Sequence, residues 1–249
     1  MPQIYGVTRR DQPSLSADGV QQEARIGARG ELVVLPLTAG TYTLADEGAY
    51  FTGVNPTPGT GIIHALTTAW SATAALFCLR NTDSEGAKRI YLDYVKLMCI
   101  GTAPTATTSV RLAITIDNTN RYSSGGTAIT PQNTNMDSAQ ASIANLNFGA
   151  VVLTAASGSV RSLGREAQPP RAAPALVTGD TFFYNFGQTT SESLGAIGSA
   201  TPASAPVCFT AAMPPIILGG GDSLNFHQYY PAAATTAPTF EFEIAWWER

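Results

Sequence analysis

Charge is what this sequence has least of. Asp, Glu, Lys and Arg together make up 13% of the 249 residues, against about 25% in an ordinary soluble domain. Lysine is confined to Lys88 and Lys96, and the remaining basic residues are all Arg. With a net charge of −4 and no basic run, the chain lacks the clustered positive charge that a sequence-independent grip on nucleic acid needs. Cysteine is scarce: Cys78, Cys99 and Cys208 each sit in an apolar segment. Their odd number and wide spacing argue against a disulfide framework, and they read as reduced core residues. Histidine is scarcer still, with His64 and His227 far apart and no Cys near either, so the close His/Cys spacing of a zinc site is missing. No apolar run is long enough to span a bilayer. The opening MPQIYGVTRR has no apolar core of the signal-peptide kind. The expectation is a protein made in a reducing cytoplasm, without membrane contact.

What is present is 44% hydrophobic residues and a polarity carried by Ser, Thr, Asn, Gln and Gly. A neutral polar surface costs less to desolvate than a charged one. Arg, which makes forked hydrogen bonds and is weakly hydrated, suits interfaces better than Lys. The composition therefore predicts a protein that works packed against copies of itself or other subunits.

Residues 1–30 are polar, with spaced Gly and Pro and no sustained apolar period, and carry Arg9, Arg10, Arg25 and Arg29. They read as an extended N-terminal arm. From Glu31 onward the pattern is that of β-structure. ELVVLPLTAGTYTL predicts a strand, a Gly turn and a second short strand. Residues 55–61, NPTPGTG, predict a Pro/Gly loop.

In AALFCLRNTDSEGAKRIYLDYVKLMCIG two apolar strands flank a polar turn at Asp83–Lys88. The second strand is apolar on both faces, which predicts a strand that is central or covered on both sides. In SVRLAITID, Val110, Leu112, Ile114 and Ile116 face inward and Arg111, Thr115 and Asp117 lie opposite, which predicts a half-buried antiparallel strand. Residues 118–149 read as a long polar loop with a short helix near Asp137–Asn145, and residues 187–206 as another loop. The final FEFEIAWW alternates, with Phe240, Phe242, Ile244 and Trp246 on the core side and Glu241, Glu243 and Trp247 opposite. The sum is eight to twelve short strands with no repeat period. This predicts an all-β, antiparallel two-sheet Greek-key sandwich, jelly-roll-like, over residues 31–249.

The catalytic search finds little. There is no G-x-S-x-G elbow. Gly219–Gly221 lacks the Lys-Ser or Lys-Thr of a phosphate loop and reads as a strand connection. DNTN at 117–120 matches a calcium loop only loosely. Glu241 and Glu243 share one strand face, whereas glycosidase carboxylates usually face each other across a cleft. His64 and His227 lie in apolar segments and read as structural. Among the aromatics, Tyr5, Tyr42, Tyr50, Tyr122, Tyr229, Tyr230 and Trp247 are candidates for sugar or protein contacts, with Trp70 and Trp246 assigned to the core. The expectation is a protein that is not an enzyme and uses no cofactor or metal.

DGVQQEARIGARGELVVLP, then LADEGAYFTGVNPTPGTGI, and the ending FEFEIAWWER resemble virion structural proteins of tailed bacteriophages. The resemblance spans about the first quarter and the last strand. It implies a head decoration (cement) protein, often a β-sandwich multimer, located in the virion. A neck, tail or fibre component, including a receptor- or glycan-binding module, resembles the chain nearly as well. The partners implied are the major capsid protein and copies of itself, as a dimer or trimer. Arg9, Arg10, Arg25 and Arg29 would then contact the capsid, pairing with an acidic shell surface.

Overall fold

The computed structural model describes residues 40–65, 67–101, 110–156, 160–163, 176–187, 206–231 and 236–249. The expected arm, with Arg9, Arg10, Arg25 and Arg29, and most of the 187–206 loop lie outside the described residues. In chain order a short helix, α1 (Gly40–Asp46), is followed by β1 (Tyr50–Val54), β2 (Ile62–Ile63), β3 (Ala74–Asn81), β4 (Ile90–Cys99) and β5 (Arg111–Asp117). Then come β6 (Tyr122–Ile129), β7 (Gln132–Asn133), β8 (Ala144–Leu153), β9 (Val160–Ser162) and β10 (Thr181–Phe186). β11 (Cys208–Met213), β12 (Ile217–Leu218), β13 (Ser223–Tyr229) and β14 (Thr239–Glu248) complete the chain.

These strands form two sheets. The larger runs β11-β10-β4-β14-β1-β7, with β12 on β4 and β2 on β14; the smaller runs β6-β8-β3-β13-β5-β9. All pairs are antiparallel except β10 with β11. Eight strands carry the topology: β1 pairs with β14, β3 with β13, β4 with β10, and β5 with β9. First pairs with last and inner with inner, as in a long hairpin rolled upon itself. This is the jelly-roll sandwich the patterning predicts. The β6–β8 hairpin is inserted within it and widens the smaller sheet beyond β3.

The core lies between the sheets and is strongly aromatic. Phe148 of the smaller sheet stacks on Phe242 of the larger at 3.7 Å, Phe77 stacks on Phe226 at 4.7 Å, and Tyr184 meets Phe226 edge-on at 5.4 Å. Each such ring, fully buried, stabilises the fold by about 1.5–3 kcal/mol. Gly53 of the larger sheet packs against Leu146 of the smaller: a Cβ there would lie 2.5 Å from Leu146 Cδ2. A smaller apolar layer, Ala75, Cys78, Val151 and Leu153 packed against Tyr122, covers part of the smaller sheet's outer side.

The predicted alternation holds in β14, where Phe240, Phe242, Ile244 and Trp246 are all buried. β14 is central, between β4 and β1, so Glu241 and Glu243 lie on a sheet face and not at an edge. In β4 the two apolar faces have one cause. The register with β14 slips between Ala245 and Trp246, which leaves Asp93 as an extra residue. This β-bulge reverses the facing: Ile90 and Leu92 point inward before it, Val95, Leu97 and Cys99 after it.

Several expectations are corrected. Residues 41–44, TYTL, are helical, not a strand. Gly48 ends the helix at φ 69°, with Ala49 N bonding Leu44 O and Gly48 N bonding Ala45 O, a Schellman cap. Side-chain amides of Asn133, Asn135 and Gln140 donate to Gly48 O, Asp46 O and Glu47 O, satisfying carbonyls the helix end leaves open. The expected helix near 137–145 is a turn region that leads into β8, and the 118–149 loop contains β6 and β7. β6, YSSGGTAI, is exposed along most of its length, so no alternation announces it. Cys208 is exposed, unlike Cys78 and Cys99, and Trp70 is 51% exposed. In β5, Thr115 and Asp117 are buried too, so that strand is covered on both sides.

The triglycine does serve as a strand connection, joining β12 of one sheet to β13 of the other. A Cβ on Gly220 would lie 2.5 Å from Asp83 O, so only glycine lets this crossing lie against the β3–β4 turn. That turn is organised by Asp83, whose Oδ2 accepts from Lys88 N at 2.6 Å and Oδ1 from Glu85 N at 3.1 Å. The Lys88 amide holds the Asp83 carboxyl below its usual range.

Candidate functional site on the outer face of the larger sheet

The β4 bulge decides what the larger sheet shows to its outer side. Beyond Asp93, Tyr94, Lys96 and Met98 face outward, beside Glu243 and Glu241 of β14. The Asn55–Gly61 loop, set up by its Pro and Gly residues, folds back over this surface. Asn55 Nδ2 donates to Thr57 O at 3.0 Å and Thr60 O at 2.5 Å, and Gly59 N donates to Glu241 Oε1. Gly59 has φ 77°, which a side chain would strain. The result is a cleft of about 250 Å³, lined by residues including Asn55, Pro58, Lys96, Met98, Glu241 and Glu243.

The electrostatics are those of a carboxylate strip tied to phenols. Tyr94 OH donates to Glu243 Oε1, and Tyr50 OH donates to Asp93 Oδ2 at 2.5 Å. Burial, then the carboxylate partner, pushes both phenols above the usual tyrosine range. Lys96 Nζ lies 3.7 Å from Glu243 Oε2 across a part-exposed pair, of the kind worth about 0–1 kcal/mol. Asn55 Oδ1 is buried in the cleft wall without a hydrogen-bond partner. Aromatic surface flanks the strip: Tyr91 stacks on Trp247 at 3.7 Å and Tyr94 on Phe183 at 5.3 Å. Such a surface, with acceptors in a cleft and rings beside it, can hold a donor-rich group such as a sugar or a guanidinium.

Catalytic chemistry is poorly served. Glu241 and Glu243 are neighbours on one face, not opposed across a gap, and each already accepts a hydrogen bond. His64 is buried, with Nδ1 3.2 Å from Tyr230 OH, and burial lowers its pKa to about 3. His227 Nδ1 lies 2.7 Å from Ala74 O and Nε2 lies 3.1 Å from Thr115 Oγ1. With Nδ1–H donating to the carbonyl, Nε2 accepts from the threonine. Burial lowers this pKa as well. Burial pushes the Cys78 and Cys99 thiols up to about 12, far from a reactive thiolate. In DNTN, Asp117 Oδ1 accepts from Thr119, and its Oδ2 faces Arg121 Nε at 3.8 Å, so an Arg stands where a cation would. Among the described residues no group of three His, Cys, Asp or Glu could hold a metal ion.

Of the aromatic candidates, Tyr42 is 77% exposed, whereas Tyr50 and Tyr230 are buried; Tyr5 lies outside the described residues. The Tyr50–Asp93 and Tyr94–Glu243 pairs were not legible in the sequence, because they depend on the bulge and on strands distant in the chain. Buried Glu248 was also missed. Its Oε2 accepts from Ile143 N at 3.0 Å, while Oε1 accepts from Trp246 Nε1 at 3.0 Å and from Ser142 OH. Comparison with family models, with curated proteins and with solved structures gives no match.

Proposed function

We propose that this chain is a non-enzymatic virion structural protein that works by assembly, as a capsid decoration (cement) protein of a phage head. The observation that carries this reading is how little charge the folded surface keeps. The sequence starts with half the usual charge, and the fold then buries Asp117, Arg121, Asp180 and Glu248. A free monomer normally needs a charged surface for solubility, whereas a neutral polar one is cheap to desolvate against a partner. Its role would be mechanical: many copies bridge neighbouring capsid subunits and add interface area. Arg9, Arg10, Arg25 and Arg29 supply forked donors for acidic capsid surface.

The test is the copy number in purified particles, measured by quantitative mass spectrometry against the major capsid protein. One copy, or a simple fraction, per capsid subunit is expected; complete absence from particles would sink the reading. A second reading, a neck, tail or fibre module that binds a receptor glycan, is favoured by the cleft at Glu241 and Glu243 and its flanking rings. It predicts a few per cent of that copy number, and glycan binding lost in Glu241→Gln or Glu243→Gln.

A further inference from the structure

Among the described residues, six strands pair on one side only: β2, β7, β11 and β12 on the larger sheet, β6 and β9 on the smaller. An open edge is a row of unpaired amides, and monomeric proteins blunt such edges with short strands, bulges, charge or proline. Five of the six are blunted here. β2, β7 and β12 are two residues long. β9 is three residues long and carries Arg161. β6 is interrupted twice by register shifts and holds Gly125 and Gly126 at φ 75° and 68°.

β11 is the exception. Cys208–Met213, CFTAAM, has six residues, no charge, no proline and an unbroken parallel register with β10. Among the described residues no strand pairs with its other side. Val207 O accepts from Thr181 N, and Met213 O accepts from Gly187 N. Alternation along the strand therefore turns the N–H and C=O of Cys208, Thr210 and Ala212 to the open side.

We propose that this edge is a self-pairing surface, on which a second copy of the chain lays its own β11 antiparallel about a two-fold axis. The occupant is argued from the strand itself. A two-fold axis places like residues near like, which an uncharged strand tolerates and a charged one does not. Register follows from the ends. Pro206 and Pro214 lack N–H groups, so the ladder is longest when centred on Thr210. Thr210 then faces Thr210 of the second copy, and Cys208 faces its Ala212. The larger sheet becomes continuous across the dimer, and the carboxylate strips of both copies lie on one extended surface. The inference extends the assembly reading above but stands on the edge geometry alone.

The full chain is the material for the test. Sedimentation is expected to show a dimer. Thr210→Lys sets two ammonium groups opposite each other and should weaken self-association by about tenfold or more. Ala212→Cys should give a covalent dimer under mild oxidation, with a disulfide between Cys208 and the introduced thiol of the second copy. Opposed residues there lie about 5.5 Å apart at Cα, within disulfide reach. A chain that stays monomeric overturns the pairing, as does a dimer indifferent to Thr210→Lys in which Ala212→Cys forms no cross-link. Self-association that is lost on removing residues 1–30 but indifferent to Thr210→Lys also overturns it, and would put that segment at the contact. None of these outcomes alters copy number in particles, so failure of the pairing and failure of the virion reading are separable.

Discussion

Arg121 illustrates how this protein spends its few charges. It is 2% exposed, donates to Thr154 O and Ala72 O, and faces the buried Asp117 carboxylate. Removing one member of a buried pair leaves an uncompensated charge, so Arg121→Ala should destabilise by about 3–5 kcal/mol in urea unfolding. The histidines set a pH dependence. His64 stays neutral in the fold down to about pH 3, while the unfolded chain takes up that proton near its ordinary pKa of about 6.5. Between those values the unfolded state binds more protons, so stability falls as pH drops from about 6.5 towards 3. His227, also lowered, adds in the same direction. Thermal melts should show a roughly level Tm above pH 7 and a steady fall below 6, with a shallower slope in His64→Asn.

At the scale of elements, the bulge in β4 is the feature with the widest consequences. One extra residue, Asp93, lets Ile90 and Leu92 share an inner face with Val95, Leu97 and Cys99, and it sets the outer row of Tyr94, Lys96 and Met98. Deleting Asp93 would bring Tyr94 directly after Leu92 and make the strand regular, so Ile90, Leu92 and Val95 would keep their inner face while the Tyr50 hydroxyl lost its carboxylate partner. Such a variant should keep a cooperative transition, as read by near-UV circular dichroism and a denaturant titration, with its midpoint lowered by the unpartnered Tyr50 hydroxyl. The α1 helix teaches a related point. Its Thr and Tyr residues have ordinary strand preference, but the Gly48 cap and the amides of Asn133, Asn135 and Gln140 hold it. The local signal that could have found it is Gly48, four residues after Leu44, as a C-cap.

For the whole molecule, the sandwich and the segment before it make separable predictions. The described core draws on residues from Phe51 onward. Removing residues 1–30 should therefore leave the Tm within about 2 °C of the full chain, a shift of about 1 kcal/mol or less, while, on the proposed cement role, weakening attachment to capsids. Full occupancy of capsids by the truncated chain would remove the arm from the contact. Much of the fold was legible in the sequence. Period-two alternation in SVRLAITID and FEFEIAWW and turn residues at 55–61 and 219–221 determined an all-β sandwich, because these signals are local and repeat along the strand. The rest was decided only in three dimensions. Whether β14 lies centrally or at an edge, which strand carries the bulge, and that Glu241, Glu243, Lys96 and Asn55 share one cleft all follow from pairing between distant segments. So does the open edge at β11. Its residues look like those of any short strand until the sheet leaves one side of them without a partner strand among the described residues.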